Sequence, residues 1–276
     1  MGEAIVITSG KGGVGKTTTS ANLGIALAIQ GKKVCLVDTD IGLRNLDVIM
    51  GLDQRIIYDL VDLIKGRCKM HQALVKDKRF DDLLFLLPAA QITDKTVITP
   101  EEMTELIHTL KQDFDYIIID CPAGIEQGFK NAVAGADHSI VVTTPETAAV
   151  RDADRVVGLL QQHLPAKKPM LVINRIRPHM MKDKENVESR DNGERLDIEG
   201  ITRFLDLELI GIVVDDDNVI KASNQGKPIA LDPKNPASIA YRNIARRILG
   251  ESVPLEKMEQ SQPGMFSRLK KIFSGR

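Results

Sequence analysis

Seven short apolar runs, each followed by a polar break or a stretch of helical period, constrain this chain more than any other feature. The runs are Ala4–Thr8, Lys33–Asp38, Leu83–Leu87, Tyr116–Asp120, Ser139–Thr144, Met170–Asn174 and Leu209–Val214. Several are apolar at consecutive positions, as in Ile117-Ile118-Ile119. That pattern suits strands buried on both faces, whereas a half-solvated sheet alternates. Helical periods fall between them at Thr17–Gln30, Pro100–Leu110, Ala148–His163 and Ala237–Leu249. The alternation predicts one α/β domain with a mostly parallel, twisted sheet covered by helices on both faces. Right-handed crossovers then bring the strands' C-terminal ends to one rim, where ligands collect.

The first run leads into Gly10-Lys11-Gly12-Gly13-Val14-Gly15-Lys16-Thr17, which matches G-x-x-x-x-G-K-[ST] between a strand and a helix. Glycines let successive backbone N–H groups curl around phosphate oxygens with no Cβ in the way. The helix that starts near Lys16 turns its positive dipole end toward the anion. Lys16 adds a point charge at the β- and γ-phosphates, and the Thr17 hydroxyl suits magnesium. The domain is therefore expected to be a P-loop NTPase.

Two other strand ends carry acids. Asp120 follows an apolar run in the Walker B position, where it holds magnesium directly or through water. Asp38 and Asp40 close the second run. The plain reading of Asp38 is a cap on the turn that follows.

Lys11 is a second lysine inside the loop, and Lys11–Thr17 fits KGGxGK[ST] at every fixed position. The chain thereby resembles the deviant Walker A ATPases. Further blocks, VDTDIGLRNLD (37–47), DCPAGIEQG (120–128), VRDADRVVGLL (150–160) and VDDDNVIKASNQGKPI (214–229), extend the likeness over essentially the whole chain. With the C-terminal tail, IGLRNLD makes it similar to the MinD family. The resemblance implies ATP and Mg2+ as ligands and an ATP-dependent homodimer in which Lys11 reaches the partner's nucleotide. ATP would lie on Gly10, Lys11, Gly12, Gly13, Val14, Gly15, Lys16, Thr17 and Thr18. Asn174, Arg175, Val214 and Asp215 would stand at the adenine, although many relatives carry Pro where Val214 stands. Asp40 would orient the attacking water beside the catalytic lysines Lys11 and Lys16, while Thr17, Asp38 and Asp120 serve the metal. Asp40, Arg44 and Asn45 would belong to switch I, and Gly124 and Glu126 to switch II. Asp152 would pair with Lys11 when the dimer is apart; a plain surface acid is the alternative.

The domain is expected to end near Gly250, with 251–264 a polar linker and 265–276 a separate segment. Met265, Phe266, Leu269, Ile272 and Phe273 fall within an arc of about 120° on a helix, with Arg268, Lys270 and Lys271 outside it. This is the profile of a short amphipathic helix lying in an anionic membrane surface. Docking onto the body and a disordered basic tail are the competing readings. The resemblance adds a MinC-type division inhibitor and a topological regulator, MinE-type or other, as partners. Membrane attachment in the ATP state would be peripheral, on the inner face of the cell membrane, in an otherwise cytoplasmic protein.

Composition narrows the alternatives. The 37 basic and 38 acidic residues give a net charge of −1, which argues against the ParA-type DNA-partitioning reading. A flagellar-number regulator would be expected to carry an extension before the P-loop. Cys35, Cys68 and Cys121 lack metal-ligand spacing, so neither a disulfide framework nor an iron–sulfur cluster is expected. The five histidines show no ligand spacing. No secretory signal is read at the N-terminus, and no run approaches the ~18 apolar residues of a membrane span. Gly2 is not followed by the myristoylation pattern, since Val6 stands where it wants Ser or Thr.

Overall fold

The computed structural model describes residues 1–91, 97–177 and 196–255. Eight strands form one sheet: β1 Glu3–Thr8, β2 Val34–Asp38, β3 Val75–Lys76, β4 Leu84–Leu87, β5 Tyr116–Asp120, β6 His138–Thr143, β7 Met170–Ile176 and β8 Glu208–Val214. Their order is β3-β4-β2-β5-β1-β6-β7-β8. Only β3 and β4 pair antiparallel. All seven expected strands are present, and β3 is an addition. Its two residues are too few to show a period.

The helices among the described residues are α1 Lys16–Ile29, α2 Leu46–Met50, α3 Leu60–Ile64, α4 Met70–Ala73, α5 Pro100–Asp113, α6 Gln127–Val133, α7 Thr147–His163, α8 Ile198–Leu205, α9 Asp217–Asn224 and α10 Pro236–Ile248. The sheet divides the core in two. Val6, Val37, Ile117 and Ile119 face α5 and α7, while Ile5, Ile7, Leu36 and Ile118 face α1 and α10. Ile117, Ile118 and Ile119 are all fully buried, which is why that run lacks alternation. Helix α1 is buried almost all round, so its sequence is small and mixed where a surface helix would be striped. Gly24 lets it approach the sheet, since a Cβ there would lie 2.4 Å from Leu36 Cδ2.

Two polar stretches have one end in regular, hydrogen-bonded structure. The polar stretch 182–200 reads as a surface excursion, and 182–195 lie outside the described residues. Its end, however, starts a helix: Asp197 accepts a hydrogen bond from Gly200 N at 2.7 Å and opens α8. The start of the expected linker is also held. Arg247 Nε donates to Val253 O at 2.8 Å and Nη2 to Pro254 O at 2.6 Å. The amphipathic segment 265–276, with Met265, Phe266, Arg268, Leu269, Lys270, Lys271, Ile272 and Phe273, lies outside the described residues. No helix among the described residues is long and apolar enough to cross a membrane.

Candidate functional site

Parallel pairing places the C-terminal ends of β1, β2, β5, β6, β7 and β8 on one rim. The loop after β1 carries the glycines there. Gly13 (φ 78°) and Gly15 (φ 101°) are left-handed, and Gly15 caps α1. The Ser9 hydroxyl donates to Lys11 O at 2.8 Å and fixes the first bend. Lys16 is buried at the start of α1, and Thr17 and Thr18 follow half-buried. Lys11, Gly12 and Gly13 stand exposed at the tip.

The two acids lie side by side. Asp38 and Asp120 are register partners at the ends of β2 and β5, and both are buried. Burial pushes the Asp38 carboxyl up to about 8, with the negative charges of Asp120 and Asp40 adding to the rise. Burial likewise raises Asp120, to about 6, against the Ser20 and Thr17 hydroxyls and the Lys16 charge, which hold it down. Asp38 also accepts N–H bonds from Asp40 at 2.9 Å and Leu46 at 3.3 Å. It therefore caps the turn while lying beside Asp120. Two desolvated carboxylates side by side on neighbouring strands call for a cation. The donor set is hard oxygen, from Asp38, Asp120 and Thr17. Among the described residues no group of three or more His, Cys, Asp or Glu forms a metal cage. A site with one or two carboxylates, leaving room for water and phosphate, fits magnesium.

Ser20 is a residue the motif does not announce. Its hydroxyl donates to Asp120 Oδ1 at 2.7 Å, one turn into α1. A serine on the buried face of a helix, one turn past the loop, was the available signal. Ser20→Ala should slow ATP hydrolysis by about three- to tenfold through a charge-assisted hydrogen bond of ~1 kcal/mol or slightly more. An unchanged rate in a steady-state phosphate-release assay would contradict this role.

The segment expected as switch I begins at Asp40, whose carbonyl accepts from Leu43 N and Arg44 N at 3.2 Å. Gly42 (φ 95°) turns the chain. Arg44 (φ 41°) points back along its own segment, with Nε 2.7 Å from Oδ2 of buried Asp47, and Asn45 precedes α2. In the segment expected as switch II, Gly124 (φ 95°) has nothing within 4 Å of a Cβ position. The Glu126 carbonyl accepts from Phe129 N at 3.0 Å at the start of α6.

On the other side of the loop, Asn174 is buried and its Nδ2 donates to Val14 O at 2.8 Å. It thus holds the P-loop itself. Arg175 takes a left-handed φ of 57° at a register shift in β7, and Asp215 N donates to Ile176 O at 2.9 Å beside buried Val214. Arg177 Nε lies 3.6 Å from Asp215 Oδ2. Asp216 opens α9 and accepts from Asn235 Nδ2 at 2.6 Å.

Asp152 lies beside the loop on α7. The structure brings its backbone against Gly10, but its carboxylate lies 3.4 Å from Arg155 Nη1, and no ion pair joins it to Lys11 among the described residues. The cysteines beside the site are buried, and burial pushes the Cys121 thiol up to about 12, away from a thiolate ligand.

The AAA_31 family profile, an AAA domain, matches residues 2–173. Over 276 residues, covering the whole of both chains, the sequence is 68% identical to the septum site-determining protein MinD of Bacillus subtilis (strain 168). The chain belongs to the MinD family. MinD relatives are septum site-determining P-loop ATPases, and the chain shares their fold. The MinD chain of a MinC:MinD cell division protein complex from Aquifex aeolicus is 46% identical, with a TM-score of 0.81 over 92% of this chain and 98% of that one. MinD of Pyrococcus horikoshii OT3, complexed with Mg-ADP, is 27% identical, with a TM-score of 0.77 over 92% of this chain and 100% of that one. The MinD likeness thus extends well past the loop, through β8 and α10.

Proposed function

We propose that the chain is a magnesium-dependent ATPase that dimerises on ATP, attaches to the inner face of the cell membrane through 265–276, and recruits a MinC-type division inhibitor to position the septum. The observation that carries this reading is the convergence of Lys16, Asp38 and Asp120 under a glycine loop at the sheet's C-terminal rim. Loop N–H groups and Lys16 bind and orient the β- and γ-phosphates. Thr17, Asp38 and Asp120 hold magnesium, which supplies charge neutralisation at the phosphate oxygens. Asp40, at the mouth of the carboxylate pair, orients the attacking water, and Lys11 at the exposed tip reaches the second subunit's nucleotide. Such a trans lysine adds positive charge where the transition state gathers negative charge. Asp40, Arg44, Asn45, Gly124 and Glu126 respond to the γ-phosphate as the switches. The likeness to the MinD chain of the MinC:MinD complex supports the choice of partner.

A single twelve-residue helix binds lipid weakly. Two joined by an ATP-held dimer gain effective concentration, strengthening attachment by roughly 10²–10⁴. Co-sedimentation with anionic vesicles should therefore show pelleting of the full chain with ATP and little with ADP, and none for a truncation ending at Gly264. Equal pelleting with ADP would remove the nucleotide switch, and pelleting of the truncation would remove the tail as the anchor.

A further inference from the structure

Helices α2 and α9 each begin in the candidate site and end at the same place outside it. Helix α2 starts where Leu46 N donates to Asp38 Oδ2 at 3.3 Å. Helix α9 starts at Asp216, next to the strand end carrying Val214 and Asp215 and anchored by Asn235 at 2.6 Å. Their far ends meet through two left-handed glycines, Gly51 (φ 67°) and Gly226 (φ 65°). The backbones touch so closely that a Cβ on Gly51 would lie 2.7 Å from Gly226 O, and one on Gly226 2.6 Å from Gly51 Cα. No side chain cushions this contact.

Arg79 spans it. Nη2 donates to Met50 O at 2.7 Å, the last residue of α2, and Nη1 donates to Gly226 O at 3.2 Å. The same guanidinium is forked on Asp77, with Nε 2.9 and 3.0 Å from its two oxygens and Nη2 2.6 Å from Oδ2. Asp77 is 1% exposed and its N–H donates to Leu84 O at 2.9 Å, so the fork hangs from the sheet. A planar, always-charged fork with five donors can serve an acid and two carbonyls together; a lysine cannot match that geometry. None of these bonds touches the phosphate site. They join the ends of two short rigid levers whose other ends lie on opposite sides of it.

We propose that Arg79 is a positioning residue: by locking the Gly51–Gly226 contact, it makes switch I and the Val214–Asp216 rim respond to nucleotide as one unit. This rests on the reading of that rim as the adenine side of an ATP site. Occupancy at the rim then bears on α9, and through Arg79 on α2 and the Asp38–Asp47 segment.

A double-mutant cycle tests the coupling, read as hydrogen exchange of residues 41–50 in the full chain at saturating Mg-ATP. Arg79→Lys keeps a charge on Asp77 but loses the fork. Asn235→Asp keeps an acceptor for the start of α10 but sets a second carboxylate against Asp216. If Arg79 carries the coupling, the single variants lower ATP-induced protection about tenfold and fivefold, and the double variant about tenfold, because both break one connection. Gly226→Ala, which leaves the Arg79–Asp77 pair in place, should show the same non-additivity with Asn235→Asp. ADP affinity by calorimetry should stay within about twofold for Arg79→Lys and Gly226→Ala, since neither touches the phosphate contacts or the rim. Multiplying effects, near fiftyfold, or an Arg79→Lys protein with wild-type protection, would overturn the proposal. A wild-type chain that binds no ATP would instead sink the function proposed above, and that is seen before any variant is compared.

Discussion

Asp38→Asn is expected to raise the stability of the metal-free protein at neutral pH while sharply slowing ATP hydrolysis in the presence of magnesium. The two effects have one source. Asp38 and Asp120 are buried partners, with carboxyls raised to about 8 and about 6 from an ordinary 3.8. An acid whose folded pKa lies above its unfolded value holds its proton more tightly in the folded state. Folding is then favoured below about pH 4, and stability falls as pH rises to about 6 for Asp120 and about 8 for Asp38, levelling off beyond. Holding both carboxylates charged in the dry interior therefore destabilises the metal-free fold at pH 8. An amide at 38 removes one charge, and its single oxygen can keep the 2.9 Å bond from Asp40 N while the longer 3.3 Å bond from Leu46 N, made to the other carboxylate oxygen, is lost; removing the buried charge outweighs that one acceptor. Hydrolysis should drop by on the order of 10²–10³, the scale seen when one preorganised charge-stabilising group is lost. Urea unfolding in chelator at pH 5 and pH 8 checks the first effect. The wild type should weaken between the two and the variant much less. A wild type equally stable at both would disprove the electrostatic account, as would a variant less stable than wild type at pH 8.

The opposite signs of those effects show why some of this site is legible in sequence and some is not. Strands β1 to β8, apart from β3, announce themselves because burial on both faces leaves apolar runs with no alternation. Lys16, Thr17 and Asp120 announce themselves because phosphate and magnesium chemistry admits few residue types in that spacing. What a residue does besides chemistry is set by neighbours distant in the chain. Ser20 matters because β5 delivers Asp120 to within 2.7 Å of it, a separation of 100 residues. Asn174 is readable as an element end near the rim, yet its amide goes to Val14 O, 160 residues away. Asp152 is recognisable in its block, but whether its carboxylate meets Lys11 or Arg155 depends on rotamers that no motif encodes. Arg79 carries no signature at all, since its partners are two carbonyls and a buried acid assembled from three segments.

The loop glycines divide along the same line, and replacing each with alanine should give a graded series. Gly10 is the severe case: its Cβ would lie 2.1 Å from the backbone C and O of Asp152, so the P-loop and α7 would have to part. Backbone cannot rotate aside as a side chain can, and a loss of ~3 kcal/mol or more is expected. At Gly15 the φ of 101° is strained for any L-residue, and the Cβ would meet Asn174 Nδ2 at 2.3 Å. That amide can swing away, giving up its bond to Val14 O, for a total of about 2 kcal/mol. At Gly13 nothing lies within 4 Å and only the φ of 78° resists, for about 1 kcal/mol. Gly12 has no left-handed φ, and its nearest neighbour would be Ala123 Cβ at 4.0 Å, so the free protein should be as stable as wild type. Its methyl group would nonetheless stand at the exposed tip where the proposed phosphates approach the backbone. Gly12→Ala should therefore weaken ATP binding by tenfold or more, about 1.4 kcal/mol, in a protein of unchanged unfolding midpoint. That variant separates the two demands on the loop, because only the ligand would feel the added carbon. Calorimetry showing wild-type ATP affinity would mean the phosphates do not lie against Gly12, and a midpoint lowered as far as that of Gly10→Ala would mean the loop's packing is wrongly described.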